Sequence, residues 1–263
     1  MKIQIISDIH LERRPLDYKD ILDTNINSNV LVLAGDIGCP RSPIYENFLT
    51  WCTVYFNNVI VICGNHEYRT CMPKTFEEVD NIVKSITINI NAKLPAPKIH
   101  FLQSGESIII DDIIFIGATL WSKIPDCVSK DHIEQINSSF NGMMIQKDVN
   151  FTVSNMNKLF QFHLQNIEKS ILKGIENKLK NVVITHHAPI LKTMYKVEDY
   201  PKNYLYGTDL EKYIKYDIIN TWIYGHTHWN VIHNINGTML VTNQYGNNEK
   251  PCRGWNSSFF INI

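Results

Sequence analysis

Asp, His and Asn gather at five separate points of this chain, each time directly after a short apolar run, and side chains of these types are ligands for divalent cations. IQIIS runs into Asp8 and His10, VLVLA into Gly35 and Asp36, and VIVIC into Gly64, Asn65, His66 and Glu67. Further along, NVVIT runs into His186 and His187, and TWIY into Gly225, His226 and His228. Asp8 and His10 stand two apart, as do His226 and His228, and in extended chain such residues point to one side and could reach one ion. Gly35 lets the backbone turn sharply into Asp36, whose two carboxylate oxygens could bridge two metals. Asn65 offers a neutral carbonyl oxygen, and His186 an imidazole at the end of its run. Such mixed oxygen and nitrogen ligation suits Mn, Fe, Zn or Ni better than Ca or a thiolate-selected ion. Seven donors exceed what one tetrahedral zinc takes. They suit two ions roughly 3.5 to 4 Å apart, an arrangement that clamps the attacking and leaving oxygens of a displacement at phosphorus.

The elements that must position these residues are legible in outline. Apolar, β-branched runs ended by Gly or polar residues read as strands covered on both faces. In open α/β sheets the loops beyond the carboxyl ends of the strands converge on one crevice, so clusters distant in sequence can meet there. Strands at 2–7, 30–34 and 59–62, with helical stretches from Asp17, from Ser42 and Pro43, and from Lys74, form a βαβαβ unit. The rhythm then changes. Short strands at 99–103, 107–111 and 113–118 follow, the last two turning at Asp111 and Asp112. The polar stretch 122–150 reads as a loop insertion and candidate substrate lid. An amphipathic helix over 152–173 carries Met156, Leu159, Phe160, His163, Leu164 and Ile167 on one face. Strands at 181–185, 221–224, 231–235, 238–242 and 258–262 complete the chain, with a hairpin turn at Asn236 and Gly237.

Composition bounds the function. At 263 residues the chain is near the upper size for one core, and it reads as a single domain over 1–263. Hydrophobic content of 44% and charged content of 19% are ordinary for a globular protein. A formal net charge of −1 supplies no global field for nucleic acid or an anionic membrane. Lys169, Lys173, Lys178 and Lys180 share one segment, which reads as a solvated helix face. No apolar stretch approaches the roughly 20 residues a spanning helix needs, and the first strand begins too early for a cleavable leader to precede it. Six cysteines without close-paired spacing fit a reducing, cytoplasmic setting.

Each cluster alone also reads as ordinary turn or helix-cap chemistry, and the adjacent His186 and His187 as polar surface. The set is harder to dismiss, because five strand ends would all have to carry such residues by accident. In their order, DIH at Asp8 to His10, GD at Gly35 and Asp36, GNHE at Gly64 to Glu67, His186 before an HAP triplet, and GHTH at Gly225 to His228 resemble the calcineurin-like metallophosphoesterase superfamily. A small, single-domain branch of it is most similar.

That resemblance implies a four-layer αββα sandwich, two mixed β-sheets flanked by helices. It places Asp8, His10, Asp36 and His228 on one metal and Asp36, Asn65, His186 and His226 on a second, with Mn the first choice of metal. His186 is taken over His187 because it directly follows the strand, which leaves His187 to the pocket wall. His66 matches a histidine that contacts phosphate and protonates the leaving group. The implied reaction is hydrolysis of a small phosphoester, with a phosphodiester or nucleotide favoured and a metal-bridging hydroxide as nucleophile. Nuclease, protein phosphatase and inactive protein-binding scaffold are the alternatives. Where the branch often carries an NPRGY-like segment this chain has NQYG at Asn243 to Gly246, which leaves the phosphate contacts open. Tyr68, Trp121 and Tyr245 are candidates for the pocket lining, or for core packing.

Overall fold

A computed structural model describes residues 1–13, 16–71, 74–137, 140, 142–193, 201–246 and 250–263. Its strands are β1 (Lys2–Ile6), β2 (Val30–Ala34), β3 (Asn58–Ile62), β4 (Ile99–Phe101), β5 (Glu106–Ile110), β6 (Ile113–Ala118), β7 (Met144–Gln146), β8 (Val149–Asn150), β9 (Lys180–Thr185), β10 (Thr221–Tyr224), β11 (Ile232–Ile235), β12 (Thr238–Val241) and β13 (Phe260–Asn262). The helices are α1 (Tyr18–Ile21), α2 (Pro43–Tyr55), α3 (Asn65–Thr70), α4 (Phe76–Asn91), α5 (Lys130–Ile136) and α6 (Val153–Glu176).

One sheet has the order β13-β1-β2-β3-β4, all parallel except the edge strand β13. The second has the order β11-β12-β10-β9-β6-β5, with a parallel centre and antiparallel edges at β5 and β11. Alternation along each strand sends every second side chain to the opposite face. Ile3, Ile5, Val30, Val32, Ile60 and Ile62 of the first sheet therefore meet Ile113, Phe115, Val182, Ile184, Ile223 and Val241 of the second in one buried layer. The outer faces are covered by helices. Leu31, Leu33, Val59 and Val61 pack with Tyr45, Phe48, Leu49 and Cys52 of α2, and Ile114, Ile116 and Val183 with Phe160, Leu164, Ile167 and Ile171 of α6. The result is the αββα sandwich that the resemblance implied, and its doubly covered strands explain the unbroken apolar runs.

Local chemistry starts the helices where the sequence indicates. Ser42 accepts the Ile44 N–H and Pro43 takes the first turn of α2, while Thr75 with Glu78 and Thr152 with Asn155 form capping boxes on α4 and α6. The turn between β11 and β12 has positive φ at Asn236 and Gly237, 52° and 84°, as a tight hairpin requires.

The 122–150 stretch differs from the expected loop. Its described residues form α5 and the β7–β8 hairpin, and Ile124, Val128, Ile133, Phe140 and Met143 are buried against Tyr68, Phe76, Trp121 and Phe151. These apolar residues are spread among polar ones, so the periodicity that marks a regular element is weak while the burial is real. Among the described residues no helix is long and apolar enough to cross a membrane.

Candidate metal centre

All five clusters lie at carboxyl ends of strands: Asp8 after β1, Asp36 after β2, Asn65 after β3, His186 after β9 and His226 after β10. The first three come from one sheet and the last two from the other, so the site spans the interface between sheets. Asp36 Oδ2 lies 3.3 Å from His186 Nε2 and 3.8 Å from His10 Nε2. Asp8 Oδ1 lies 3.3 Å from His228 Nε2, and both Asp8 oxygens accept the His226 N–H, at 3.1 and 3.2 Å. Asn65 Oδ1 is 3.0 Å from His186 Nε2. Asp8, His10 and His228 thus form one group whose donor atoms lie within 4.8 Å of one another, and Asp36, His186 and His226 form another.

The two-apart pairs do not reach the site by extended alternation, as the spacing had led us to expect. Asp8, His10, Asp36, His226 and His228 all have left-handed backbone, with φ of 55°, 47°, 53°, 67° and 51°. This conformation is uncommon outside glycine. Each turn drops the chain abruptly off its strand and aims a side chain into the gap between the sheets.

The walls of the gap demand bare backbone. A Cβ on Gly64 would collide with Asp36 Oδ1 and sit 2.7 Å from His186 Cε1, and one on Gly225 would sit 2.7 Å from Asp8 Oδ2. Both glycines are there because a carboxylate presses on them.

The residues fit a cation. His10 is fully buried and neither ring nitrogen makes a well-formed hydrogen bond: Nδ1 faces Glu12 Oε1 at 3.4 Å and Nε2 faces Asp36 Oδ2 at 3.8 Å. An imidazole so placed is costly unless it serves as a ligand. Burial pushes the Asp36 carboxyl up, yet the neighbouring His186 and His66 charges hold it well below the usual carboxylate range. Burial opposes ionisation of Asp8 too, and there the His228 hydrogen bond and the His186 charge prevail. Two buried carboxylates held in their charged form, facing four imidazoles, match the oxygen and nitrogen set of a transition-metal site.

His186 and His187 part ways in the fold. His186 Nδ1 lies 3.0 Å from the Ala34 carbonyl oxygen, which leaves Nε2 facing Asp36 and Asn65. His187 Nδ1 instead lies 3.3 Å from the Thr119 carbonyl oxygen, and its ring packs on His226 and Trp121 at 4.2 and 5.3 Å. Burial, then the His186 charge, pushes the His187 imidazole down to about 3, so it stays neutral.

His66 is at the mouth. Its backbone N–H donates to Asp36 Oδ1 at 2.7 Å, and its ring lies edge-on to His10 at 4.6 Å. Burial lowers its pKa.

The aromatic candidates take the packing role. Tyr68 stacks on Phe76 at 4.3 Å and donates its hydroxyl to Asp80 Oδ1 at 2.8 Å, Trp121 lies between Phe76 and Phe151, and Tyr245 packs edge-on to Trp255 at 4.9 Å. All three are buried, and their apolar faces fill the core.

Several residues escaped the sequence reading. Glu67 is completely buried; Oε1 accepts the N–H of Ile37 at 2.7 Å and of Gly38 at 3.4 Å, and Oε2 those of Gly64 at 2.8 Å and Asp36 at 3.0 Å. Burial and the Asp36 charge push its carboxyl up to about 8 against the pull of these donors. Glu12 Oε1 lies 3.4 Å from His10 Nδ1 and 4.0 Å from His66 Nδ1. Arg13, 41% exposed, brings Nη2 to 3.4 Å from His66 Nδ1. Tyr206 lies over His226 at 5.2 Å. The NQYG segment works behind the site: buried Gln244 accepts the His228 N–H at 2.6 Å through Oε1, and the N–H of Gly246 donates to the Asp8 carbonyl at 2.9 Å. The only sequence signal for Glu12 and Arg13 is their closeness to His10.

With fold and site in place, the class is defined: the profile of the calcineurin-like phosphoesterases matches residues 1–230, and the chain belongs to that family. It is 29% identical over 273 aligned positions to Uncharacterized protein L509 of Acanthamoeba polyphaga mimivirus, covering 93% of this chain and 90% of that protein. Among solved structures it is similar to a phosphopantetheinyl hydrolase of Mycobacterium tuberculosis, with a TM-score of 0.63 and 16% identity over 93% of this chain and 89% of the other. It is also similar to the protein TT1561 of Thermus thermophilus, with a TM-score of 0.53 and 9% identity over 92% and 88%, and to a dimetal phosphatase of Danio rerio, with 0.50 and 13% over 92% and 86%.

Proposed function

We propose that the chain is a hydrolase of phosphoesters that works with two divalent cations, manganese first among them, on a phosphodiester or nucleotide-type substrate. One observation carries the reading: of three close groups of donor residues, the third being His10, Glu12 and His66, the groups Asp8, His10, His228 and Asp36, His186, His226 stand side by side, linked where His10 Nε2 comes within 3.8 Å of Asp36 Oδ2. Asp8, His10, Asp36 and His228 would hold one cation, and Asp36, Asn65, His186 and His226 the other. When bound, such a pair makes a water acidic and draws charge off phosphoryl oxygens.

The chain's own residues supply the rest. Asp36 sits between the groups and its Oδ1 is already engaged by the His66 amide, so its orientation is set before substrate arrives. His66 presents Nδ1 to Arg13 and Glu12, and we assign its Nε2 to carry the proton for the leaving oxygen. Arg13 is the exposed cation beside it and suits a phosphoryl oxygen, filling the part that NQYG leaves open. Gln244 and Glu67 fix the backbone on which His228 and Asp36 turn.

The complete ligand set speaks against an inactive scaffold, and the near-zero net charge favours a small substrate over nucleic acid. A panel of mono- and diesters assayed with Mn²⁺, Fe²⁺, Zn²⁺ and Ni²⁺ tests this. Hydrolysis by the native chain that Asp36→Asn loses while remaining folded is the expected result. No turnover of any phosphoester with any of these metals would overturn the reading in favour of a scaffold.

A further inference from the structure

Two cysteines that are far apart in sequence meet beside the site. Sγ of Cys39 stands 3.7 Å from Sγ of Cys71 and 3.5 Å from the Thr70 carbonyl oxygen. Cys39 follows Asp36 in the segment leading into α2, and Cys71 ends α3, the helix that opens with Asn65 and His66. Their surroundings differ. Cys39 is half-buried, whereas Cys71 is completely buried.

The chemistry of the two sulfurs differs as well. The hydrogen bond between the two sulfurs favours the Cys39 thiolate most, burial opposes it, and the amides of Arg41 and Ser42 at the start of α2 favour it as well. Together they hold the Cys39 thiol down at about 6. The same hydrogen bond, with burial, pushes the Cys71 thiol up. One reachable, nucleophilic sulfur beside one sheltered thiol is the asymmetry of an attacking and a resolving cysteine.

We infer that Cys39 and Cys71 form a reversible redox modification site, closed to a disulfide by a hydroperoxide and reopened by a dithiol. The Cys39 thiolate attacks one oxygen of hydrogen peroxide; the O–O bond breaks, hydroxide leaves and is protonated to water, and Cys39 becomes a sulfenic acid. The Cys71 sulfur then attacks the Cys39 sulfur. The S–S bond forms as the S–O bond breaks, and the hydroxyl leaves as water with the Cys71 proton. Two thiols and one peroxide become one disulfide and two waters, the sulfur pair giving up the two electrons that the peroxide gains. From 3.7 Å, bonding distance is reached by an approach of about 1.7 Å. The bond ties the segment behind Asp36 to the end of the helix that presents His66. Cys52 and Cys63 are completely buried.

The test is peptide mass mapping of the reduced, Mn²⁺-loaded full chain after stoichiometric hydrogen peroxide and thiol alkylation. Expected are a crosslinked Cys39–Cys71 peptide pair, its complete loss after dithiothreitol, no such link in Cys39→Ser, and a dimedone-reactive Cys39 in Cys71→Ser. Recovery of both peptides fully alkylated from the treated native chain would overturn the inference, as would oxidation confined to the exposed Cys127. The readout is a mass, so it stands apart from whether phosphoesters are substrates.

Discussion

Glu67 holds Asp36 from behind, its Oε2 accepting the Asp36 N–H at 3.0 Å while the same carboxylate binds three further amides of the two loops. Asp36 has left-handed backbone, and these bonds keep it there. Glu67→Ala leaves buried N–H groups without acceptors, a loss of about 3 kcal/mol or more. Urea denaturation of the metal-free chain measures it directly. A variant as stable as the native chain would show that the amides find other partners.

Gly64→Ala changes no ligand and is expected to cripple the site. The new methyl collides with Asp36 Oδ1 and with His186 Cε1. Displacing both should lower Mn²⁺ affinity by about tenfold to a hundredfold, the range seen when support around a ligand is lost. Calorimetric titration with Mn²⁺ gives the number.

Arg13 lies beside His66, its side chain partly exposed and its Nε 3.6 Å from Glu12 Oε1. If it grips a phosphoryl oxygen equally in the bound and reacting states, Arg13→Ala raises KM by about tenfold and leaves kcat nearly unchanged. Initial-rate kinetics on a hydrolysed ester separate the two. A fall in kcat at constant KM would place Arg13 in the protonation step with His66 instead.

Buried His163, which is not among the proposed ligands, sets part of the pH dependence of stability. Its Nδ1 accepts the Leu120 N–H at 3.2 Å, and burial pushes its pKa from 6.5 down to about 4. Above the unfolded value neither state is protonated there. As pH falls from 6.5 toward 4 the unfolded chain gains a proton that the folded one refuses, removing up to about 3 kcal/mol of stability. His163→Asn keeps an acceptor for Leu120 but cannot titrate, so its denaturation midpoint should vary less across that window.

Chelation should loosen the fold as well as stop hydrolysis. The poorly hydrogen-bonded nitrogens of buried His10 and the carboxylates of Asp8 and Asp36 are more stable when a cation holds them. Between EDTA and saturating Mn²⁺ the melting temperature is expected to rise by about 5 °C or more, read by calorimetry. Equal melting temperatures would mean that Mn²⁺ does not bind.

Strands and the strand-end clusters were legible because both sheets are buried on two faces, so apolar runs stop where the chain leaves the core. The meeting of Asp36 with His186 followed from that topology. The left-handed turns were not legible: Asp and His adopt positive φ more readily than most residues, but too seldom to mark it as Gly does at Gly35. Glu67 stood in view inside GNHE, yet its partners are backbone amides, which no residue type reveals. Tyr68, Trp121 and Tyr245 could not be assigned between pocket and core, since an aromatic ring suits either. The 122–150 stretch hid its burial behind polar neighbours, and Cys39 with Cys71 became a pair only through the approach of two loops.

The left-handed turns at Asp8, His10, Asp36, His226 and His228 set folding against function. Glycine at any of them would relax the backbone while deleting the side chain the site needs. The strain is therefore tolerated only while the side chains keep their partners, and bound cations that hold all five at once offset it.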